Sequence, residues 1–251
     1  MKDFRFFFVV ATGAPFSLYA IPKANYMIKN RDKYSRQQCE AFAIRIIDHM
    51  RQRSRTVTEV YGRENLPAED GFAVYSNHQG KYDALGILLA LKRPCSVLWE
   101  AGRADRLLAR QIVGLLEAVT MDLGDMRDKA RAIQEVTREI REGRNYLIFP
   151  EGGYGGNRNQ LQEFQGGCFS CSQRSRTPMV PVAIYDSYKA MNGNSLKKAV
   201  TQIHILPTIP YEEYSGLSKR EMAELVKGRI AGRLGEIEAG TCRAGTKEVL
   251  G

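Results

Sequence analysis

The residues that decide the fold read SNHQGKYD and occupy positions 76–83. Four apolar residues, 72–75, come directly before them, and a second apolar run follows at 84–91. The first run has the length of a buried strand, and the second fits a helix. The pattern therefore predicts a strand, a loop and a helix, with His78 on the loop.

His78 and Asp83 lie five positions apart, and this spacing limits how they can meet. On one continuous helix, five residues rotate by roughly 500°, which leaves the two side chains about 140° apart. They can pair only if the chain turns before the helix begins, and Gly80 permits such a turn. Asp83 is then expected in the first helical turn, where a carboxylate is favourable. Because a carboxylate on one imidazole nitrogen leaves the other free to take a proton, the pair fits either a general base or a structural hydrogen bond.

A glycine-rich loop follows a second predicted strand at 145–149. It begins with Pro150 and Glu151 and continues through the glycines of residues 152–156. Glycine lets a ligand approach the backbone closely, and Glu151 can either contact a ligand or cap backbone N–H groups. The loop does not match G-x-x-x-x-G-K-[ST], and no G-x-G-x-x-G follows a strand. A nucleotide-binding loop is therefore poorly supported.

Strand-like and helix-like segments alternate along the chain. Further strands are predicted at 56–61, 96–99, 179–184 and 201–206, and helices at 34–52, at 127–142 and from 218 onwards. This alternation is typical of an α/β domain with a mostly parallel central sheet flanked by helices. In such sheets, sites form at the carboxyl ends of strands. The loops that carry His78 and Glu151 are therefore expected to share one site.

The 251 residues allow one large domain with an appendage. Three regions are predicted: an apolar and basic N-terminal region (1–55), the α/β domain (56–239) and a flexible tail (240–251). The net charge of +9 favours an anionic partner, such as nucleic acid, anionic lipid or a phosphorylated substrate. Residues 1–60 hold eleven Lys and Arg against five Asp and Glu, so they supply +6 of this charge.

Residues 6–21 carry no charge. They are fewer than the about 20 apolar residues that span a bilayer, and Gly13, Pro15 and Pro22 interrupt them. An interfacial anchor is expected, with the following basic residues on anionic head groups. A signal peptide and an aromatic-rich core helix are the alternatives.

The five cysteines are odd in number and scattered, which suits a reducing compartment better than a disulfide framework. Cys168 and Cys171 form one C-x-x-C pair. Since no second pair and no histidine lie near it, ordinary packing is favoured over a metal or redox role.

Three motifs in this order resemble those of the glycerolipid acyltransferases, the family typified by 1-acyl-glycerol-3-phosphate acyltransferase. They are Asn77-His78-x4-Asp83, the H-x4-D motif; Phe149-Pro150-Glu151-Gly152; and Val180-Pro181-Val182. The resemblance spans about residues 57–210. The first motif alone is weak, whereas the ordered set of three is specific.

The resemblance implies that His78 is the general base on a free hydroxyl of a lysophospholipid, oriented by Asp83. The deprotonated oxygen would attack the thioester of acyl-coenzyme A or acyl-carrier protein, without a covalent acyl-enzyme, a metal or a bound cofactor. The acceptor would be contacted by substrate-binding residues, namely Asn77, Glu151, Gly152, Arg127 and Pro181. The enzyme would lie on an anionic membrane surface at the cytoplasmic face of the cell membrane.

Three positions depart from the family pattern. Leu123 follows Met121-Asp122 where the family usually has arginine, and Tyr154 stands where an arginine often follows the Glu-Gly pair. Gln165 replaces a usual lysine. Arg127 and Arg158 are the candidates to supply the missing charge. Acyl transfer is thus better supported than a phosphate-bearing acceptor.

Other functional classes have less support. A non-catalytic lipid-binding member of the same fold would not need the His78–Asp83 pair. A nucleic-acid-binding protein is suggested by charge alone, and no recognisable nucleic-acid module accompanies that charge, so no nucleic acid is expected as a partner. A serine hydrolase lacks the G-x-S-x-G elbow.

Overall fold

The computed structural model describes residues 4–105, 108–192, 194–242 and 245–250, and these form one α/β domain. Its sheet has the strand order β4-β3-β5-β2-β6-β7-β1-β8. The strands are β1 (Thr56–Tyr61), β2 (Ala73–Ser76), β3 (Ser96–Glu100), β4 (Val119–Met121), β5 (Tyr146–Ile148), β6 (Met179–Tyr185), β7 (Ala199–Ile205) and β8 (Lys247–Leu250). The predicted α/β class is confirmed.

Most neighbouring strands are parallel. β2 pairs in parallel with β5 on one side and β6 on the other, and β3 continues the parallel half through β5 and β4. β1 and β7 are also parallel, whereas β6–β7 and β1–β8 are antiparallel. Because β2 and β5 are parallel neighbours, the loops that follow them emerge side by side at the carboxyl ends of the strands.

Helices cover both faces of the sheet. They are α1 (Phe4–Lys29), α2 (Arg36–Arg53), α3 (Asp83–Leu91), α4 (Ala101–Ala104), α5 (Ala109–Leu115), α6 (Met126–Arg141), α7 (Ser170–Ser175), α8 (Tyr188–Met191), α9 (Tyr211–Tyr214) and α10 (Lys219–Glu238). Buried residues of α1, α2, α3 and α5 form one hydrophobic core with the sheet, and those of α6 and α10 form a second. The loops that follow β2 and β5 thus emerge between these two cores.

Helix α1 is longer than the sequence pattern indicates. Its 26 residues continue through Pro15 and Pro22, so the predicted interruption is wrong. Prolines remove helical hydrogen bonds, but packing against α2 keeps the segment helical. By length and composition alone, α1 is apolar enough to cross a membrane, with 22% of its most apolar window buried. Its outer surface exposes large apolar side chains, namely Phe4, Phe7, Leu18, Tyr19 and Tyr26.

Arg5 ties the start of α1 to the domain. Its buried guanidinium donates hydrogen bonds to the main-chain carbonyls of Ser54, Lys189 and Lys197, at 2.7 to 3.0 Å. Burial lowers the pKa of Arg5. Because buried carbonyls need donors, this one side chain joins α1 to three segments distant in sequence.

The C-terminal segment also differs from its prediction. Residues 247–250 form strand β8, which pairs with β1 at the edge of the sheet, so a flexible tail is wrong for them. A salt bridge from Lys247 Nζ to Glu59 Oε1, at 2.6 Å, accompanies the pairing. Residues 1–3, 243, 244 and 251 lie outside the described residues.

Candidate active site

The loop after β2 wraps around one carboxylate. Asp83 is the first residue of α3, and its Oδ2 accepts hydrogen bonds from the backbone N–H groups of Gln79 and Gly80, the latter at 2.8 Å. The expected turn before the helix is therefore present. Gly80 does not have a positive φ, so the turn does not depend on the left-handed conformation that glycine permits. A Cβ at Gly80 would instead lie 2.8 Å from Asn192 Oδ1, so a larger residue would displace this side-chain amide, which accepts a hydrogen bond from the Lys81 N–H at 3.1 Å.

His78 and Asp83 form a direct pair. His78 Nδ1 lies 2.7 Å from Asp83 Oδ2, and the Asp83 side chain is fully buried whereas that of His78 is 16% exposed. A carboxylate only accepts hydrogen bonds, so Nδ1 carries the proton and Nε2 is left as the basic nitrogen. Ser187 Oγ, directly before α8, donates to Asp83 Oδ1 at 2.6 Å. The imidazole is thus held in one orientation and one tautomer.

Two aromatic side chains from the loop after β5 enclose the imidazole. Phe149 stacks on the His78 ring, with centroids 4.1 Å apart, and Tyr154 meets it edge-on at 4.6 Å. The same loop returns to the His78 segment through Asn157, whose Nδ2 donates to the His78 carbonyl at 3.0 Å. The two loops predicted to share a site therefore meet around His78.

Glu151 and Gly152 lie in this second loop and line the same cavity as His78. Gln162 Nε2 donates to Glu151 Oε2 at 2.7 Å, while Glu151 Oε1 is buried without a hydrogen-bond partner among the described residues. Burial raises the pKa of Glu151, although the Gln162 bond opposes this rise. Gly152 has a φ of +71°, a conformation that favours glycine. An unpartnered acceptor oxygen suits a ligand that brings a hydrogen-bond donor.

The cavity beside His78 has a volume of about 1070 Å³. It reaches both hydrophobic cores, since its walls include Met50 of the first core and Ile133 beside the second, and Phe6 of α1 also lines it. Most other lining side chains are apolar, among them Leu85, Val97, Leu98, Trp99, Ile112, Met121, Ile148 and Met191. This volume exceeds that of a typical small-molecule pocket, roughly 300–1,000 Å³. A long apolar chain with one polar end fits such a space.

The three positions that depart from the family pattern, Leu123, Tyr154 and Gln165, all line this cavity. Basic side chains also reach it, from several elements: Lys81, Arg103, Lys129, Arg174 and Lys219. The altered positions therefore form part of the cavity wall, while the His78–Asp83 pair is intact.

Other predicted site residues lie elsewhere. The Asn77 side chain donates to the Ile184 carbonyl at 3.0 Å and accepts from its N–H at 2.9 Å, which joins the end of β2 to β6. Pro181 is buried inside β6 opposite Tyr75. Arg127 is exposed on α6, and it is absent from the residues that line the cavity. None of these three residues lines the cavity, and their predicted contact with the acceptor stays a prediction.

Sequence reasoning missed Ser187 and Arg103, because neither belongs to a motif. Among the described residues, no group of three or more His, Cys, Asp or Glu side chains could hold a metal ion. Cys168 and Cys171 are free thiols, and burial raises the pKa of both.

Comparison with known proteins finds similar sequences and a similar fold among acyltransferases. The family model described as Acyltransferase matches residues 57–185. The 1-acyl-sn-glycerol-3-phosphate acyltransferase alpha of Homo sapiens is 28% identical over 166 residues, which cover 61% of this chain and 55% of the human protein. The chain thus spans about half the length of its mammalian relatives. The 1-acyl-sn-glycerol-3-phosphate acyltransferase of Borreliella burgdorferi is 22% identical over 184 residues, covering 71% and 72% of the two chains.

A solved structure shares the fold. The crystal structure of the 1-acyl-sn-glycerophosphate acyltransferase PlsC from Thermotoga maritima superposes with a TM-score of 0.73 at 18% identity, covering 94% of each chain. The family match includes His78, Asp83, Glu151 and Pro181 and extends over half of the sequence. The chain therefore belongs to the acyltransferase family.

Proposed function

We propose that this chain is an O-acyltransferase that moves an acyl group from a thioester to a free hydroxyl of a lysophospholipid, with 1-acylglycerol-3-phosphate as the acceptor and phosphatidate as the product. One observation carries the proposal: His78 presents Nε2 beside a large apolar cavity, while its Nδ1 is fixed by the buried Asp83. The names of the relatives support the same acceptor.

In the proposed mechanism, His78 Nε2 takes the proton of the acceptor hydroxyl as its oxygen attacks the thioester carbonyl. Asp83 stabilises the imidazolium that forms, since a nearby carboxylate favours the charged ring. The tetrahedral intermediate collapses, the carbon–sulfur bond breaks, and the imidazolium returns the proton to the thiolate of coenzyme A or acyl-carrier protein. The reaction written this way needs no covalent acyl-enzyme, metal or bound cofactor.

The cavity would hold the acyl chains, and Glu151 would contact the polar end of the acceptor. Its Oε1 is buried without a partner among the described residues, so it can accept a hydrogen bond from an acceptor hydroxyl. The adjoining Gly152 has no side chain to block that approach.

We further propose that α1 lies on an anionic membrane at the cytoplasmic face. Its exposed surface carries Phe7, Leu18 and Tyr19, and apolar side chains of this kind insert at the boundary of head groups and acyl chains. Phe6 of the same helix lines the cavity. A lysolipid could therefore pass from the membrane to His78 along α1.

The test supplies purified protein with acyl-coenzyme A or acyl-carrier protein and with 1-acylglycerol-3-phosphate. His78→Ala should reduce turnover by about 10²- to 10⁴-fold, the usual contribution of a general base. His49→Ala is the matched control, because His49 stacks on Phe16 and is absent from the residues that line the cavity. Full turnover in His78→Ala would refute the mechanism, and no transfer by the wild type with either donor would refute the function.

A further inference from the structure

Two of the altered positions raise the question of what binds the acceptor phosphate. The family pattern places arginine at the positions of Leu123 and Tyr154, and both residues line the cavity beside His78. Neither leucine nor tyrosine can supply a positive charge. If the acceptor carries a phosphate, another side chain must neutralise it near these positions.

Arg103 lies in the right place. It belongs to α4, directly after β3, and its guanidinium carbon is 4.5 Å from the centre of the Tyr154 ring. The Tyr154 ring in turn meets the His78 ring at a centroid distance of 4.6 Å. These two distances add to about 9 Å, which is the upper limit for the separation between the guanidinium and the imidazole. A hydroxyl and a phosphate on neighbouring carbons of one glycerol can contact both groups.

The guanidinium is anchored and still has donors available. Glu100 Oε2 lies 2.6 Å from Arg103 Nε, and both residues line the cavity. Arginine has five N–H donors in a planar fork, and the contacts found among the described residues use only the one on Nε. The two terminal nitrogens therefore remain for an oxyanion, with the geometry that guanidinium uses for bidentate phosphate binding.

The other cations of the cavity have different surroundings in the described part of the chain, and Lys129 lies half-buried on α6. Lys81 lies over the Phe6 ring at 5.1 Å. Arg174 and Lys219 are exposed side chains on α7 and α10, two helices whose buried residues belong to the second core. Of the cavity-lining cations described, Arg103 is the one that packs on an aromatic ring in contact with the imidazole.

We propose that Arg103 binds the phosphate of the acceptor and that Tyr154 positions it by stacking, so that a guanidinium from α4 takes the place of the arginine that the family carries at position 154. The assignment rests on the proposed acyl transfer to a lysophospholipid. Arg103 is then the residue that determines selectivity for a phosphate monoester.

The first measurement is equilibrium binding, read from the fluorescence of Trp99, which lines the cavity and is the chain's single tryptophan. The probes are 1-acylglycerol-3-phosphate and the monoacylglycerol with the same chain. Arg103→Gln should raise the Kd for the phosphate lipid by roughly 10- to 150-fold, the range for a lost hydrogen bond to a charged group. The Kd for monoacylglycerol should not change. Equal Kd values for the phosphate lipid in wild type and Arg103→Gln would overturn the proposal.

Two further variants make the result specific. Arg103→Gln leaves Glu100 unpaired, and its charge alone would repel a phosphate. The double variant Glu100→Gln/Arg103→Gln removes that repulsion. Continued weak binding supports direct contact by Arg103, whereas recovered binding overturns it. Arg110→Gln, an exposed arginine on α5 outside the cavity lining, should bind like the wild type.

Turnover separates this proposal from the function itself. Arg103→Gln should raise the KM for 1-acylglycerol-3-phosphate more than it lowers kcat, because the base is untouched. Absence of transfer by the wild type would refute the proposed function while the binding comparison still tests Arg103. Transfer by the wild type with unaltered KM in Arg103→Gln would refute only the role of Arg103.

Discussion

The hydrogen bond from Ser187 to Asp83 allows a direct test of how the proposed base, His78, is held. Asp83 has a fully buried side chain, and its Oδ2 is contacted by His78, Gln79 and Gly80. Its Oδ1 accepts from Ser187 Oγ, which is the partner found for that oxygen among the described residues. Ser187→Ala therefore leaves one oxygen of a buried carboxylate without a donor. The backbone N–H of Ser187 still donates to Gln79 Oε1 at 2.9 Å, so the loop keeps its other contact.

The expected cost follows from the charge of the acceptor. Hydrogen bonds to charged groups contribute about 1.5–3 kcal/mol, and both partners here are buried. Ser187→Ala should therefore lower the free energy of unfolding by about 2 kcal/mol near neutral pH. Turnover should fall less than in His78→Ala, because Oδ2 still orients the imidazole.

Urea unfolding followed by Trp99 fluorescence measures this cost. Ser215→Ala is the matched control, since Ser215 is exposed and should change stability by less than about 0.5 kcal/mol. Combining Ser187→Ala with Asp83→Asn completes a double-mutant cycle, which isolates the pairwise energy. An equal cost of Ser187→Ala in the wild type and in the Asp83→Asn variant would refute the reasoning, because the bond would then contribute nothing specific.

Two other predictions concern the membrane and pH. Leu18 is 80% exposed on α1, so Leu18→Gln should weaken binding to anionic vesicles, measured by sedimentation, about 10-fold or more. Met126→Gln, on α6, is the control and should bind like the wild type. Equal loss of binding in both variants would contradict the membrane anchor. Burial, with Arg233 nearby, lowers the pKa of His204 to about 4. The folded state thus disfavours protonation of His204. The contribution of neutral His204 to the free energy of unfolding is complete above the ordinary histidine pKa of about 6.5, and it is lost as the pH falls towards 4. Between pH 7 and 4.5, the free energy of unfolding measured in urea should fall by roughly 2–3 kcal/mol more in the wild type than in His204→Gln. An equal fall in both proteins would disprove this prediction.

The main architecture could be predicted because its signals are local and repeated. Alternating strands and helices indicated a parallel sheet, and the position of His78 and Glu151 after strands indicated a shared edge. The five-residue spacing to Asp83 excluded a single helix, and the observed turn satisfies that condition. Each of these inferences depends on backbone periodicity or on strand direction, which neighbouring residues in sequence largely determine.

The remaining features depend on contacts between distant segments. Ser187 meets Asp83 across 104 positions, so no spacing rule could connect them. Helix α1 passes through two prolines because packing on α2 outweighs their local cost, and a propensity rule sees only that cost. The segment 247–250 reads Lys-Glu-Val-Leu, which is too short for a periodic pattern, yet it becomes a strand because β1 offers an unpaired edge.

The positions that depart from the family pattern are separate from the residues that hold the proposed base, His78. The partners of Asp83 come from His78, Gln79, Gly80 and Ser187. None of these is one of the altered cavity positions. A substitution at Leu123 or Gln165 therefore alters the cavity wall without removing a hydrogen bond from the carboxylate. Of the altered positions described, Tyr154 contacts the His78 ring, in an edge-on arrangement with the centroids 4.6 Å apart. The residues that hold His78 are thus separate from those that line the rest of the cavity, and a cation such as Arg103 reaches the same cavity from a different element.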